Sequence, residues 1–350
     1  MKTVIIISLI SLMVISCGGP MYQPGDLVNK ENLDVLVTPP NQAEVKDSFW
    51  KVGEGIQLYH FSDGEGLPIL MVHGGPGYPF SEPWQGVHLL SDQYRFVYYH
   101  HRGCGKSSRP IDRFESKNYY QNMTKLEETL GMGAQLMDME KIRQLLVQDE
   151  LVMIGHSFGA FLAVLYAIEF PERVKALILV SPAGLLKFPS ESGGLYEEVG
   201  RFLPSGMKEA YENWKNEYFD YKNIFKKSEG ELMELNAEFL PYYELAMKKK
   251  GLSLPEGILP QEIGGWMPHA LNFSMGKKHD YTNALKSIQV PVLILHGEQD
   301  LGRLEESQQY ADFLSGAELI VVKDASHFMF NERPEEFSRI VGEFFNDLDH

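Results

Sequence analysis

Ser157 is the residue of this 350-residue chain whose setting most clearly calls for chemistry. It stands in Leu151-Val-Met-Ile-Gly155-His-Ser157-Phe158-Gly159-Ala, where an apolar run meets Gly-x-Ser-x-Gly and a helical pattern follows at once. That order puts the serine on a sharp, strained strand-to-helix turn, which lifts its hydroxyl clear of the backbone. Gly155 and Gly159 leave room for strand and helix to close around the turn. A serine hydroxyl is a weak nucleophile near neutral pH and needs a base, which in turn needs an orienting carboxylate.

With a serine so placed, acid and base follow it along the chain, in that order. Pro291-Val-Leu-Ile-Leu-His-Gly-Glu298-Gln-Asp300 reads as a strand running into a polar turn and offers two carboxylates. Glu318-Leu-Ile-Val-Val-Lys-Asp reads as the next strand, and Ala325-Ser-His327 follows it. Of the 11 histidines, His327 has the right position and order for the base. His73, His156 and His296 sit at strand ends or inside the elbow and read as structural, while His60, His88, His269, His279 and His350 lack a matching context. An oxyanion formed at the attacked carbonyl needs preorganised donors, each typically worth about 2.7–4 kcal/mol. Val72-His73-Gly74-Gly75-Pro76-Gly77 supplies a bare backbone turn, and the amides of Gly75 and Phe158 are the expected pair.

These groups need one sheet edge to bring them together. From Phe49 onward short apolar runs alternate with helical segments, the pattern of a largely parallel sheet covered on both faces. Strands are expected near Ile56–Phe61, Ile69–Val72, Phe96–His100, Leu151–Ile154, Ala176–Val180, Val292–Leu295 and Leu319–Val322. Leu136, Met139, Ile142 and Leu146 mark one face of a helix. Pro334 opens the last helix, Glu335 and Glu336 suit its positive end, and Phe337, Ile340, Val341, Phe344, Phe345 and Leu348 share a face. Candidate acid and base thus fall past the carboxyl ends of strands, like Ser157. Between Ala183 and Gln289 the alternation stops and helical periodicity takes over, which reads as a cap inserted into the core. The expected division is 49–184 and 290–350 for the core, with 185–289 as the cap.

The N-terminus reads as an address. Lys2 precedes an apolar stretch from Val4 to Ile15, shorter than the roughly 20 residues that span a bilayer. Its end, Val14-Ile-Ser-Cys17-Gly18, resembles the bacterial lipoprotein signal. That resemblance implies cleavage of residues 1–16, lipidation of the Cys17 thiol, and a place in the bacterial cell envelope. Gly18, in place of an aspartate, points to the outer membrane in a two-membrane cell. Residues 17–48, with Pro20, Pro24, Pro39 and Pro40, then read as a tether holding the enzyme off the membrane.

The formal net charge of −16 repels phosphate backbones and argues against nucleic acid as a partner. Two cysteines, Cys17 and Cys104, are too few for a disulfide framework or a thiolate zinc site. His100 and His101 are adjacent at a strand end, so their side chains point apart, and no helical His-x-x-x-His accompanies an acid. Neither a metal nor a cofactor is expected.

With these pieces in place, the chain resembles the α/β-hydrolase superfamily from about residue 49 onward, and within it the proline iminopeptidase group. The resemblance rests on His73-Gly-Gly-Pro-Gly77, on Tyr99-His-His-Arg102-Gly-Cys104-Gly-Lys-Ser107, and on the helical segment after Ser181-Pro-Ala-Gly184. It implies an α/β-hydrolase fold with the cap before the strand that leads to the acid, and it selects Asp300 over Glu298. It also implies release of an N-terminal residue, often proline, from small peptides without a metal or cofactor, with cap glutamates binding the free amine. Two motifs depart from the group. Gly155-His-Ser-Phe-Gly159 stands where Gly-Gly-Ser-Trp-Gly is usual, and His100-His101 replaces Asp-Gln. The group's tryptophan-rich, amine-binding cap motif is missing, although Glu197, Glu198, Glu209, Glu212, Glu238 and Glu244 lie in the cap. Small acyl esters suit the same machinery, and a non-catalytic envelope protein is a third reading.

Overall fold

Apolar runs bounded by turn residues fold as strands β1 (Phe49–Gly53), β2 (Ile56–Asp63), β3 (Leu67–Val72), β4 (Tyr94–Tyr99), β5 (Leu151–His156) and β6 (Val174–Val180). The two-residue strands β7 (Lys187–Phe188) and β8 (His279–Asp280) come next, then β9 (Val292–Gly297) and β10 (Glu318–Val322). The longer helices are α1 (Tyr119–Leu130), α2 (Met132–Leu145), α3 (Phe158–Glu169), α4 (Leu195–Phe202), α5 (Ser205–Tyr218), α6 (Glu229–Ala237), α7 (Phe239–Lys249), α8 (Trp266–Met275), α9 (Leu304–Phe313) and α10 (Pro334–Leu348). The structure, a computed structural model, describes residues 21–28, 38–42, 46–190, 193–254 and 262–348. The expected signal segment 1–16 and Cys17 lie outside the described residues.

Among these residues the main sheet has the order β1-β2-β4-β3-β5-β6-β9-β10. From β4 to β10 neighbouring strands pair in parallel, and β1 and β2 add an antiparallel edge. Every residue of β5 and β9 is buried, as strands covered on both faces require. One face packs on α2 and α3, the other on α10 through Phe337, Ile340, Val341 and Phe345. All six parallel strands point their carboxyl ends to one edge, where the connecting loops gather.

The cap leaves the core through β7 and returns through β8, and these two strands pair with each other, Phe188 opposite His279. This small sheet clamps the base of the insertion. Above it α4 to α8 form their own core around Tyr211, Trp214, Leu232 and Trp266. Glu229 ties that core to the body: it pairs with Arg109 and accepts from the Gly265 and Trp266 amides at 3.0 and 2.7 Å.

One expectation is corrected here. Within the expected tether 17–48, residues 21–28 dock on the body. The Tyr22 amide donates to the Asp280 carbonyl at 2.9 Å and Met21 bridges Asp280, extending the β7–β8 sheet. The Tyr22 hydroxyl and the Gly25 and Leu27 amides all donate to Glu169, the last residue of α3, and Tyr22 and Val28 are buried. A buried carboxylate with three donors is a strong local anchor. No helix among the described residues is long and apolar enough to cross a membrane.

Candidate active site

Strand β5 ends at His156, α3 begins at Phe158, and Ser157 alone makes the turn, at φ 54° and ψ −118°. A non-glycine residue there is strained, and it persists only where its surroundings over-determine it. They do so here. The Ser157 amide donates to Val180 O at 2.9 Å, and the Ser157 carbonyl accepts from Ala160 and Ala183 at 3.1 Å. A Cβ on Gly159 would stand 2.0 Å from the Val72 carbonyl oxygen, and one on Gly155 would stand 2.6 Å from Ala160 Cα. Neither glycine can be replaced without parting β3, β5 and α3.

The loop after β3 crosses directly over the serine: a Cβ on Gly74 would lie 3.0 Å from Ser157 Cβ. Gly75 follows at φ 117° and lines the same cavity. Phe158 opens α3, so its amide has no acceptor within the helix and is available to an anion. Both expected amide donors therefore flank Ser157.

Asp300 and His327 lie past the ends of β9 and β10, and His327 Nδ1 donates to Asp300 Oδ2 at 2.8 Å. That bond fixes the tautomer and leaves Nε2 without the proton, the state a general base requires. Asp300 Oδ1 accepts from the Gly302 amide at 2.8 Å, and the carboxylate is buried. Burial alone raises a carboxyl pKa, but the neighbouring imidazole outweighs it and holds Asp300 well below the usual range. For His327 burial works against protonation, while the Asp300 charge and hydrogen bond overcome it and raise the imidazole above its ordinary value. Glu298, the other acid in the same turn, is exposed and accepts from the Asp324 amide.

The histidines read as structural position the site. His156 Nε2 donates to the His327 carbonyl at 3.0 Å, which ties the base to the residue next to Ser157. His73 Nε2 accepts from the His101 amide at 3.1 Å, and His73 Nδ1 donates to Gly74 O, which holds the glycine turn. Burial pushes His73 down to about 3 and His156 well below the imidazole range, so both stay neutral. On the cap side, Lys250 donates to the Gln299 and Asp300 carbonyls at 2.9 and 2.8 Å and fastens α7 to the acid's turn.

Ser157, Asp300 and His327 share the wall of one cavity of about 1110 Å³. The remaining wall is rich in aromatic rings, with Tyr78, Phe80, Trp84, Tyr196, Tyr218 and Phe239 among its members. Of the six cap glutamates only Glu197 lines it. Glu198 pairs with Arg201, Glu212 with Lys215 and Glu244 with Lys248, and Glu209 and Glu238 are exposed. Sequence reasoning missed Glu306, on α9, which lines the cavity beside Gly184. Burial, then the nearby charge of Asp300, pushes its carboxyl up to about 7. In the polar stretch Leu304–Phe313 nothing marks one glutamate as inward-facing.

Residues 68–334 match the family model described as the alpha/beta hydrolase fold. The chain belongs to that family. It is 27% identical over 301 residues to a proline iminopeptidase of Heyndrickxia coagulans, covering 82% of this chain and 93% of that one. A proline iminopeptidase of Lactobacillus acidophilus is 26% identical over 285 residues, covering 78% and 88%. Among solved structures, an esterase from Exiguobacterium antarcticum superposes with a TM-score of 0.55 at 21% identity, covering 85% and 99%, a likeness of fold. This α/β hydrolase is therefore similar in sequence to proline iminopeptidases over most of its length.

Proposed function

We propose that this hydrolase works by acyl transfer through Ser157, and that it is an aminopeptidase of the proline iminopeptidase type acting on small peptides. The observation that carries the reading is the His327–Asp300 pair at 2.8 Å in the cavity that also holds the strained Ser157. Ser157 Oγ attacks the substrate carbonyl and His327 Nε2 takes its proton. The Gly75 and Phe158 amides hold the oxyanion. The tetrahedral adduct expels the amine, which receives the proton from His327, and water then cleaves the acyl-enzyme by the same steps. Asp300 stabilises the imidazolium formed on the way.

The peptidase reading is supported by the proline iminopeptidase relatives and by the carboxylates of Glu82, Glu197 and Glu306 in the cavity wall, which supply acceptors for a free amine. A second reading, hydrolysis of acyl esters, is favoured by the cavity itself. Its volume of about 1110 Å³ lies just above the range of small-molecule sites, roughly 300–1,000 Å³, and its wall is rich in aromatic rings. A panel of aminoacyl p-nitroanilides against p-nitrophenyl esters separates the two. Proline and alanine anilides are the expected substrates, whereas ester turnover without anilide cleavage overturns the peptidase reading. We further propose that Cys17 carries the lipid in the bacterial envelope, tested by the intact mass of the protein extracted from membranes.

A further inference from the structure

The cavity mouth has a chemical character that its acidic chain does not share. Residues that both line the cavity and reach solvent mark its opening, and these include Phe188, Phe219, Lys222 and Lys277. Phe188 is 45% exposed and Phe219 38%. Lys187 and Lys278 adjoin this rim and are exposed too. In a chain of net charge −16, an opening where four exposed lysines stand at or beside the rim against the two exposed glutamates, Glu82 and Glu197, is a local exception. Of the acids nearby, Glu82 and Glu197 reach solvent at the rim itself, half-buried Asp220 adjoins Phe219, and Asp26 and Asp280 cap turns through the Gln23 and Thr282 amides.

The rim is also tied to the N-terminal arm. Phe188 lies on β7, β7 pairs with β8, and β8 is bridged on its other side by Met21, itself 50% exposed. Two strand spacings put Met21 about 10 Å from β7. Cys17 is four residues before Met21, and four residues span at most about 14 Å. A lipid on Cys17 therefore lies within about 24 Å of the cavity rim. That is less than half the width of a 350-residue body, whose radius of gyration is about 20 Å. Docking of 21–28 on the body is what makes this reach short.

We propose that the rim of the cavity, with Phe188, Phe219, Lys187, Lys222 and Lys277, docks on an anionic lipid bilayer, so that the active site opens toward the membrane that holds the lipid anchor. The proposal rests on lipidation of Cys17 and extends it from an anchor to an orientation. Phenylalanines on a surface that lies against a bilayer bury at the headgroup–acyl boundary. Lysines beside them add roughly fivefold preference each for an anionic surface, an effect that salt weakens. A lipid anchor with a basic patch is the two-signal arrangement that gives stable attachment. Substrates with an apolar part would then reach Ser157 along the membrane surface.

The test uses the full-length lipidated protein, reconstituted in phosphatidylcholine vesicles with or without phosphatidylglycerol. An environment-sensitive fluorophore is placed at Phe188→Cys or at Val147→Cys, the latter 86% exposed and just before β5, at the opposite sheet edge. The expected result is shielding of position 188 from an aqueous quencher, with position 147 open. Shielding should deepen with phosphatidylglycerol, and Lys187→Glu with Lys222→Glu and Lys277→Glu should remove that added part. Equal quenching at both positions overturns the proposal, as does shielding that ignores both lipid charge and lysine reversal. An intact mass without acyl chains on Cys17 overturns it as well, but leaves reaction of Ser157 with a fluorophosphonate, and hence the hydrolase reading, untouched.

Discussion

The sheet edge and the cap build opposite walls of one cavity by different means. At the sheet edge each group is fixed by backbone and by buried hydrogen bonds. The Ser157 turn is held by Val180, Ala160 and Ala183, and the His327 ring is held by Asp300. Movement of an ångström there would break several buried contacts at once. The cap wall is helical and rich in aromatic rings, and its hydroxyls bond within the cap, Tyr196 to Tyr218, and Tyr218 and Tyr221 to the Asn272 side chain. Its contacts are dispersive and can be exchanged at similar volume with small loss. Under the proposed function, this contrast places reaction type in the sheet edge and substrate choice in the cap.

The largest effect is expected at Ser157. Ser157→Ala should lower kcat by about 10⁶, while circular dichroism stays that of the wild type. Asp300→Asn should cost about 10⁴ in kcat, measured on the best anilide or ester. It should also move the acid limb of the pH–rate profile. His327 must be neutral to accept a proton, so wild-type activity falls as pH drops through a pKa above the ordinary imidazole value. Without the Asp300 charge burial dominates, and the midpoint should shift to lower pH. The linked stability has opposite signs for the two partners. The share from protonated His327 is complete below the ordinary imidazole pKa and is lost as pH rises through the raised one. The share from ionised Asp300 is present above the ordinary carboxyl pKa and is lost as pH falls through the depressed one.

A smaller effect sharpens the boundary between the two walls. Glu306→Gln, at the seam between them, should cut kcat/KM for aminoacyl anilides about tenfold, the range of a hydrogen bond to a charged group. Ester turnover should change less, and equal loss on both would place Glu306 with the sheet edge. The smallest effect belongs to the outer cap: Glu209→Ala should leave stability within about 0.5 kcal/mol by urea titration and kcat/KM unaltered.

How much of this was legible in the chain follows the same division. Strands buried on both faces announce themselves as apolar runs, which is why β3 to β6, β9 and β10 fall where the pattern puts them. Strand β1 was missed because Phe49–Gly53 lies at the sheet edge, mostly half-buried, and carries no apolar run. The elbow, the two strand-end residues and the glycine turn were readable because their spacing is local. Glu306 and the docking of Tyr22 on Glu169 were not, because each depends on partners more than 100 residues away, such as Gly184 and Glu169. The docking of 21–28 within the expected tether was hidden for the same reason: prolines signal absence of periodic structure, and an irregular segment can still pack. In the cap, carboxylates on helices look alike in sequence, and only the fold separates Glu197 from those paired on the surface.

The most direct test is the site of a fluorophosphonate adduct, read by peptide mapping of the wild type and of Asp300→Asn. Covalent attachment at Ser157 is expected, fast in the wild type and slowed at least about 10³-fold when Asp300 no longer orients His327. Attachment at another residue, no attachment, or equal rates in the two proteins would contradict a serine activated by this histidine and acid.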